Sequence, residues 1–112
     1  MKIALDYDKT FTEDPMLWLQ FVELAQARGH EVTIVTFRRS DRKGGNGRIK
    51  DDASRLGVEL IFAAGRPKAS VYDADIWIDD FPALIPTPEQ IALVPEITER
   101  VLKHKSQEYE AN

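Results

Sequence analysis

Short apolar runs punctuate the chain at strand-like intervals: Ile3-Ala4-Leu5, Val32-Thr33-Ile34-Val35, Val58 to Phe62, Ile76-Trp77-Ile78, and a fifth at Ile91-Ala92-Leu93-Val94. Each is too short for a helix and apolar throughout, the mark of strands buried on both faces of a parallel sheet. Helical patterns lie between them. Asp14 can cap a helix with Pro15 at its first position, Leu17, Phe21, Leu24 and Arg28 follow helical spacing, and Gly29 offers the stop. Ile49, Ala53 and Leu56 mark a second, shorter helix ending at Gly57. Pro67 opens a third, short one through Tyr72, and Pro95 a last one with the stripe Ile97, Val101 and Leu102. The tail from Ser106 to Asn112 has no apolar pattern and is expected to fray.

Strand alternating with helix implies right-handed crossovers. The expectation is therefore an α/β, three-layer Rossmann-like fold: a five-stranded, mainly parallel sheet with helices on both faces, formed by one domain over residues 1–105. No internal repeat or linker divides it. In such sheets ligands sit beyond the carboxyl ends of the strands.

Composition narrows the class. With 112 residues, 43% hydrophobic and 30% charged, the chain has the make-up of a soluble globular protein. It has no apolar run long enough to cross a membrane. The start, Met1-Lys2-Ile3-Ala4-Leu5-Asp6, turns acidic before a signal-peptide core could form, and there is no cysteine. A cytoplasmic location and no membrane partner are expected; nothing indicates the oligomeric state. Net charge is −4, which does not suit a nucleic-acid binder as a whole. Yet residues 38 to 50 hold Arg38, Arg39, Arg42, Lys43, Arg48 and Lys50 against Asp41 alone, a local charge of +5. Such a run is ordinarily a solvated loop.

The predicted strand ends collect the candidate chemistry. The first ends in Asp6-Tyr7-Asp8-Lys9-Thr10, and residues two apart in an extended chain face the same side, so Asp6 and Asp8 can reach one pocket while Tyr7 points away. The fourth ends in Asp79-Asp80, at the same sheet edge. Either acidic pair alone suits a turn or a cap. Four carboxylates in one crevice would repel one another, and a hard divalent cation resolves that; all-oxygen ligands with room for water and phosphate suit Mg²⁺. Thr36 ends the second strand, where a hydroxyl and nearby N–H groups can hold a phosphoryl oxygen, although a lone threonine there is usually just a β-former. Lys68, at the start of the third helix, can supply positive charge, although most such lysines are surface residues. Trp18 and Trp77 fit a core role, and His30 and His104 have no partner arrangement that suggests a ligand or base.

Taken together and in this order, these residues resemble the haloacid dehalogenase-like superfamily. Leu5-Asp6-Tyr7-Asp8-Lys9-Thr10 matches its first motif, Asp-x-Asp-x-Thr after an apolar strand; Thr36 after Thr33-Ile34-Val35 matches the second, Lys68 the third, and Ile78-Asp79-Asp80 the fourth. The likeness runs from residue 2 to about 94, and the first and fourth motifs carry most of its specificity. It implies a phosphohydrolase in which Asp6 is the nucleophile that forms an aspartyl-phosphate and Asp8 the general acid and base. Thr36, Arg38 and Lys68 would bind the substrate phosphate. Mg²⁺ would be held by Asp6, the backbone carbonyl of Asp8, and the Asp79-Asp80 pair, with Asp80 favoured as the direct ligand. The dehalogenases of the family lack the second aspartate and the ion-pumping ATPases carry threonine there, so Asp8 points to a phosphatase. Only a loop and one helix fit between Asp6 and Thr36, and only the basic loop, a short helix and a strand between Thr36 and Lys68; this resembles the subgroup without a cap domain, with a site open to solvent.

The substrate expected is a phosphorylated small molecule or a nucleic-acid end. A cationic arm rooted beside the site, made flexible by Gly44, Gly45 and Gly47, suits a polyanion. The alternative is a solvated loop with Arg38 alone near the phosphate. Rival functions are a metal- and phosphate-binding module without turnover, and a receiver-type phospho-acceptor switch. The latter needs an acceptor aspartate on a middle strand, where this chain has Phe62-Ala63-Ala64.

Overall fold

The computed structural model describes residues 1–93. Four strands, β1 (Lys2–Leu5), β2 (Glu31–Thr36), β3 (Glu59–Phe62) and β4 (Ile76–Ile78), form one parallel sheet in the order β3-β2-β1-β4. Helix α1 (Pro15–Ala27) joins β1 to β2 and α2 (Gly47–Leu56) joins β2 to β3. Single 3-10 turns stand at Phe11–Glu13, Lys68–Ser70 and Pro82–Leu84. This is an α/β layout compatible with a Rossmann-like arrangement, with no domain inserted between the strands. No helix among the described residues is long and apolar enough to cross a membrane.

Register explains the core. Ile3 lies opposite Val32 and Ile76, and Leu5 opposite Ile34 and Ile78, so one face of the sheet is aliphatic across three strands. On that face pack Val22 and Ala25 of α1 and Ile49, Ala53 and Leu56 of α2, in a single buried cluster. The buried stripe of α1 is thus Val22 and Ala25 backed by Trp18 and Phe21; Leu17 and Leu24, expected to face inward, are exposed. Asp14 caps α1 by accepting from the Leu17 N–H at 3.2 Å, and Gly57 ends α2 in the left-handed conformation that a side chain would oppose.

Two expectations need correction. Helices were expected on both faces, but among the described residues α1 and α2 share one face, because two right-handed crossovers progressing in the same direction place both connections on the same side. The other face is covered by the β3–β4 connection, whose Tyr72 accepts from Thr33 Oγ1 at 3.2 Å and meets Trp77 edge to face at 6.4 Å between centroids. The expected fifth strand at Ile91-Ala92-Leu93-Val94 is absent: residues 88–93 are helical, and Ile91 and Leu93 are exposed. A capping box is the cause. The Thr87 N–H donates to Gln90 Oε1 at 2.8 Å, the Gln90 N–H donates back to Thr87 Oγ1 at 3.2 Å, and Pro88 sits between them at the first helical position. Val94, the helix expected from Pro95, and the expected frayed tail lie outside the described residues. The third predicted helix is reduced to the turn at Lys68–Ser70.

Candidate active site

The strand order moves from β1 to β2 to β3 and then returns across the sheet to β4. The reversal places a crevice at the carboxyl ends of β1 and β4, the position at which open α/β sheets bind ligands. Asp6 follows β1 and is tied to β4 by its N–H, which donates to the Ile78 carbonyl at 2.9 Å. Asp79 and Asp80 follow β4. Carboxylate oxygens of Asp6, Asp79 and Asp80 lie within 4.8 Å of one another, so these three could hold a metal ion. Asp6 is buried, Asp79 half-buried and Asp80 exposed, which leaves the group reachable from solvent.

Lys68 is delivered into this group by its 3-10 turn and is 1% exposed. Its ammonium donates to Asp6 Oδ1 at 2.7 Å and to Asp79 Oδ2 at 2.6 Å. A lysine so deeply buried is retained only when its charge is met, and here two carboxylates meet it. Three carboxylates against one ammonium leave a formal −2, and the donors are all oxygen. That is the charge and hardness a divalent oxygen-seeking cation neutralises, so the residues present fit such an ion.

Thr10 knits the same group together. Its hydroxyl has one proton to share between carboxylate oxygens of Asp6 at 3.1 Å and Asp80 at 3.2 Å, and it accepts from the Asp80 N–H at 3.2 Å. The chain can return it to Asp6 because Lys9 adopts the left-handed conformation, φ 63°, which a non-glycine residue holds only where its surroundings impose it. The Trp18 indole N–H fixes the turn by donating to the Thr10 carbonyl at 2.9 Å. Burial pushes the Asp6 carboxyl up to about 6 despite the opposing hydrogen bond from Lys68, and the neighbouring Asp80 raises it further. Asp80 moves the other way, held below the usual carboxylate range by hydrogen bonds from Asp6 and Thr10.

The other two strand ends carry a different arrangement. Asp8 was expected to share the pocket of Asp6, but its carboxylate lies outside the three-aspartate group. It turns to Arg38, which grips both oxygens at 2.6 and 2.7 Å and holds the Asp8 carboxyl below its ordinary range. The Asp8 side chain is 51% exposed and that of Arg38 only 15%. Arg38 is further fixed by stacking over the Tyr7 ring, 5.1 Å from its centroid, and by a long contact to Asn46 Oδ1 at 3.4 Å. The two acids of the motif diverge because the chain leaves the extended conformation at Tyr7 and begins a turn, so the two-residue periodicity stops applying. Tyr7 does point away, as expected: it is buried and donates to Asp52 Oδ2 at 2.6 Å.

Thr36 is buried at the end of β2. Its hydroxyl accepts the Arg38 N–H at 3.3 Å and makes no hydrogen bond to the three aspartates. The basic segment is also not one loop. Phe37 to Asn46 form the loop, while Arg48 and Lys50 lie on α2, and Arg48 lines a separate cavity with Tyr7, Phe11 and Asp52. Two residues of evident structural consequence were given no role by the sequence reading. Thr10 sits within the first motif and its position there was the available signal; Asn46 carried only the weak signal of an N-cap residue.

No protein-family model matches the chain, and no match emerges among curated proteins or solved structures.

Proposed function

We propose that this protein is a Mg²⁺-dependent phosphomonoesterase that works through a phosphorylated Asp6, as the motif likeness to the haloacid dehalogenase-like phosphatases implies. The observation that carries the reading is the convergence of Asp6, Asp79 and Asp80 within 4.8 Å at the β1/β4 crevice, with buried Lys68 bonded to Asp6 at 2.7 Å. A carboxylate nucleophile needs fixed orientation and relief of charge repulsion before a phosphate dianion can approach. Thr10 and Lys68 provide the orientation, and Lys68 part of the charge. Asp6, Asp79 and Asp80 would hold the Mg²⁺, which would supply the remaining charge neutralisation for the phosphoryl group.

In the first step an Asp6 oxygen attacks phosphorus, the P–O bond to the leaving group breaks, and Asp8, freed from Arg38 and protonated from solvent, gives that oxygen a proton. In the second, Asp8 takes a proton from water, whose oxygen attacks phosphorus, breaking the bond to Asp6 and releasing orthophosphate. Asp8 cannot serve while both its oxygens are in the Arg38 fork. An incoming phosphoryl group competes for that fork, so Arg38 exchanges one anion for the other and Asp8 is released to the leaving group. Thr36 and the neighbouring N–H groups lie beside that exchange.

The closed Asp8–Arg38 pair is also the one observation that favours the second reading, a metal- and phosphate-binding module without turnover. Steady orthophosphate release from an aryl phosphate decides between them. The enzyme reading expects many turnovers in Mg²⁺, none in excess chelator, and none from Asp6→Asn. Retention of near-normal turnover by Asp6→Asn, or equal rates in chelator, would overturn it.

A further inference from the structure

The loop from Phe37 to Asn46 is a second charged feature at the carboxyl edge of the sheet. It is folded against the end of β3: the Ala64 N–H donates to the Arg38 carbonyl at 3.0 Å and the Gly65 N–H to the Phe37 carbonyl at 3.1 Å. Buried Asn46 ties it from inside, its amide donating to the carbonyls of Arg39 at 3.0 Å and Ser40 at 3.3 Å. Between loop and β3 end lies a cavity of ≈ 610 Å³ walled by Phe37, Arg38, Arg39, Arg42, Lys43 and Gly65, with Asp41 its one acid. Four cations against one acid leave +3. Arg39 is spent on Asp41 at 2.9 Å and Arg38 on Asp8. Arg42 contacts only the Gly45 carbonyl, at 3.3 Å, and among the described residues neither it nor Lys43 forms an ion pair.

Arg38 belongs to both places: two of its guanidinium nitrogens bind Asp8, and the residue also lines the cavity. A ligand that takes Arg38 with its scissile phosphate therefore has unneutralised cations next to it, together with the half-exposed ring of Phe37. We propose that this cavity is a subsite for a second phosphate on the substrate. The substrate class is then a phosphomonoester that bears another phosphate on the same nucleoside or along a phosphodiester chain, with a base resting on Phe37. The proposal deepens the phosphohydrolase reading and, for its kinetic arm, rests on it.

Three substrates and three single variants test it: an aryl phosphate, a nucleoside 3′,5′-bisphosphate, and a short oligonucleotide phosphorylated at either end, with Arg42→Ala, Lys43→Ala and Arg48→Ala. Each variant removes one positive charge, but Arg48 faces the other cavity. Losing a charge-assisted contact is expected to raise KM about tenfold. That rise should appear for Arg42→Ala and Lys43→Ala with the two substrates that carry a further phosphate and not with the aryl phosphate, and Arg48→Ala should leave all three unchanged. With the oligonucleotide, the salt dependence should flatten by about one log unit per log unit of salt for each cation removed. A rise with both the bisphosphate and the oligonucleotide assigns a single second phosphate; a rise with the oligonucleotide alone assigns the chain. Equal effects on all substrates, no effect on any, or an Arg48→Ala effect as large as the others overturns the subsite. Fluorescence anisotropy of the labelled oligonucleotide on Asp6→Asn protein separates the two readings. If the wild type releases no phosphate from any substrate yet binding weakens in the same two variants, the phosphohydrolase reading fails and the subsite stands.

Discussion

The carboxyl edge of the sheet is divided in two. At β1 and β4, three aspartates and a buried lysine are knit by short hydrogen bonds, with Thr10 and Trp18 behind them. At β2 and β3, the charged groups are arginines and a lysine on a surface loop, and the Arg39–Asp41 pair is 70% exposed on each side. The same kinds of ions therefore have different consequences. In the first region Asp6 and Lys68 are buried, so their charge is costly if unpaired and their contacts are determined by their neighbours. In the second, water screens the ions, so they shape the approach of a ligand rather than the stability of the fold. Asp8 and Arg38 are the seam between them.

The largest expected effect concerns that seam. Asp8→Asn should lower turnover by roughly 10²- to 10⁴-fold, the range for a general acid–base group, while binding of orthophosphate is retained or improved because Arg38 is released. Single-turnover and steady-state rates with an aryl phosphate check it; an unchanged rate would place Asp8 outside the chemistry.

Stability separates the two regions next. In chelator at neutral pH, Lys68→Ala leaves Asp6 and Asp79 without their counter-charge and should cost about 3–5 kcal/mol in urea unfolding. Arg39→Ala, whose pair is exposed, should not move the midpoint measurably. Similar losses in both would erase the distinction drawn between the regions.

The smallest effect is on pH. Asp6 has its carboxyl raised from an ordinary 3.8 to about 6, so between those values the folded protein binds more protons than the unfolded chain. Stability in chelator should therefore fall as pH rises through that window and level off above it, by on the order of 2 kcal/mol. Asp8 and Asp80 are shifted downward, so their contribution is present above the ordinary value and is lost at more acidic pH. Mg²⁺ competes with the Asp6 proton, so its stabilisation should grow from pH 5 to pH 7. Thermal melts across pH with and without Mg²⁺ would show this; a flat profile in chelator would mean that burial does not perturb Asp6.

The four strands, both long helices and the placement of Asp6, Lys68, Asp79 and Asp80 at strand or turn boundaries are legible in the residues alone. These follow from local signals: all-apolar runs, the Asp14-Pro15 start, and the glycines at 29 and 57. The Thr87-Pro88-Glu89-Gln90 box is equally local, and it commits the apolar residues after it to helix although their composition alone predicts a strand. Which charges meet is set by the fold. Asp6 and Asp8 stand two apart in one motif, yet one is drawn inward by Lys68, which lies 62 residues away in sequence, and the other outward by Arg38, 30 residues away. Side-chain partnerships across a sheet depend on strand order and on where a turn ends the extended chain. Neither is written in the spacing of the residues that it brings together.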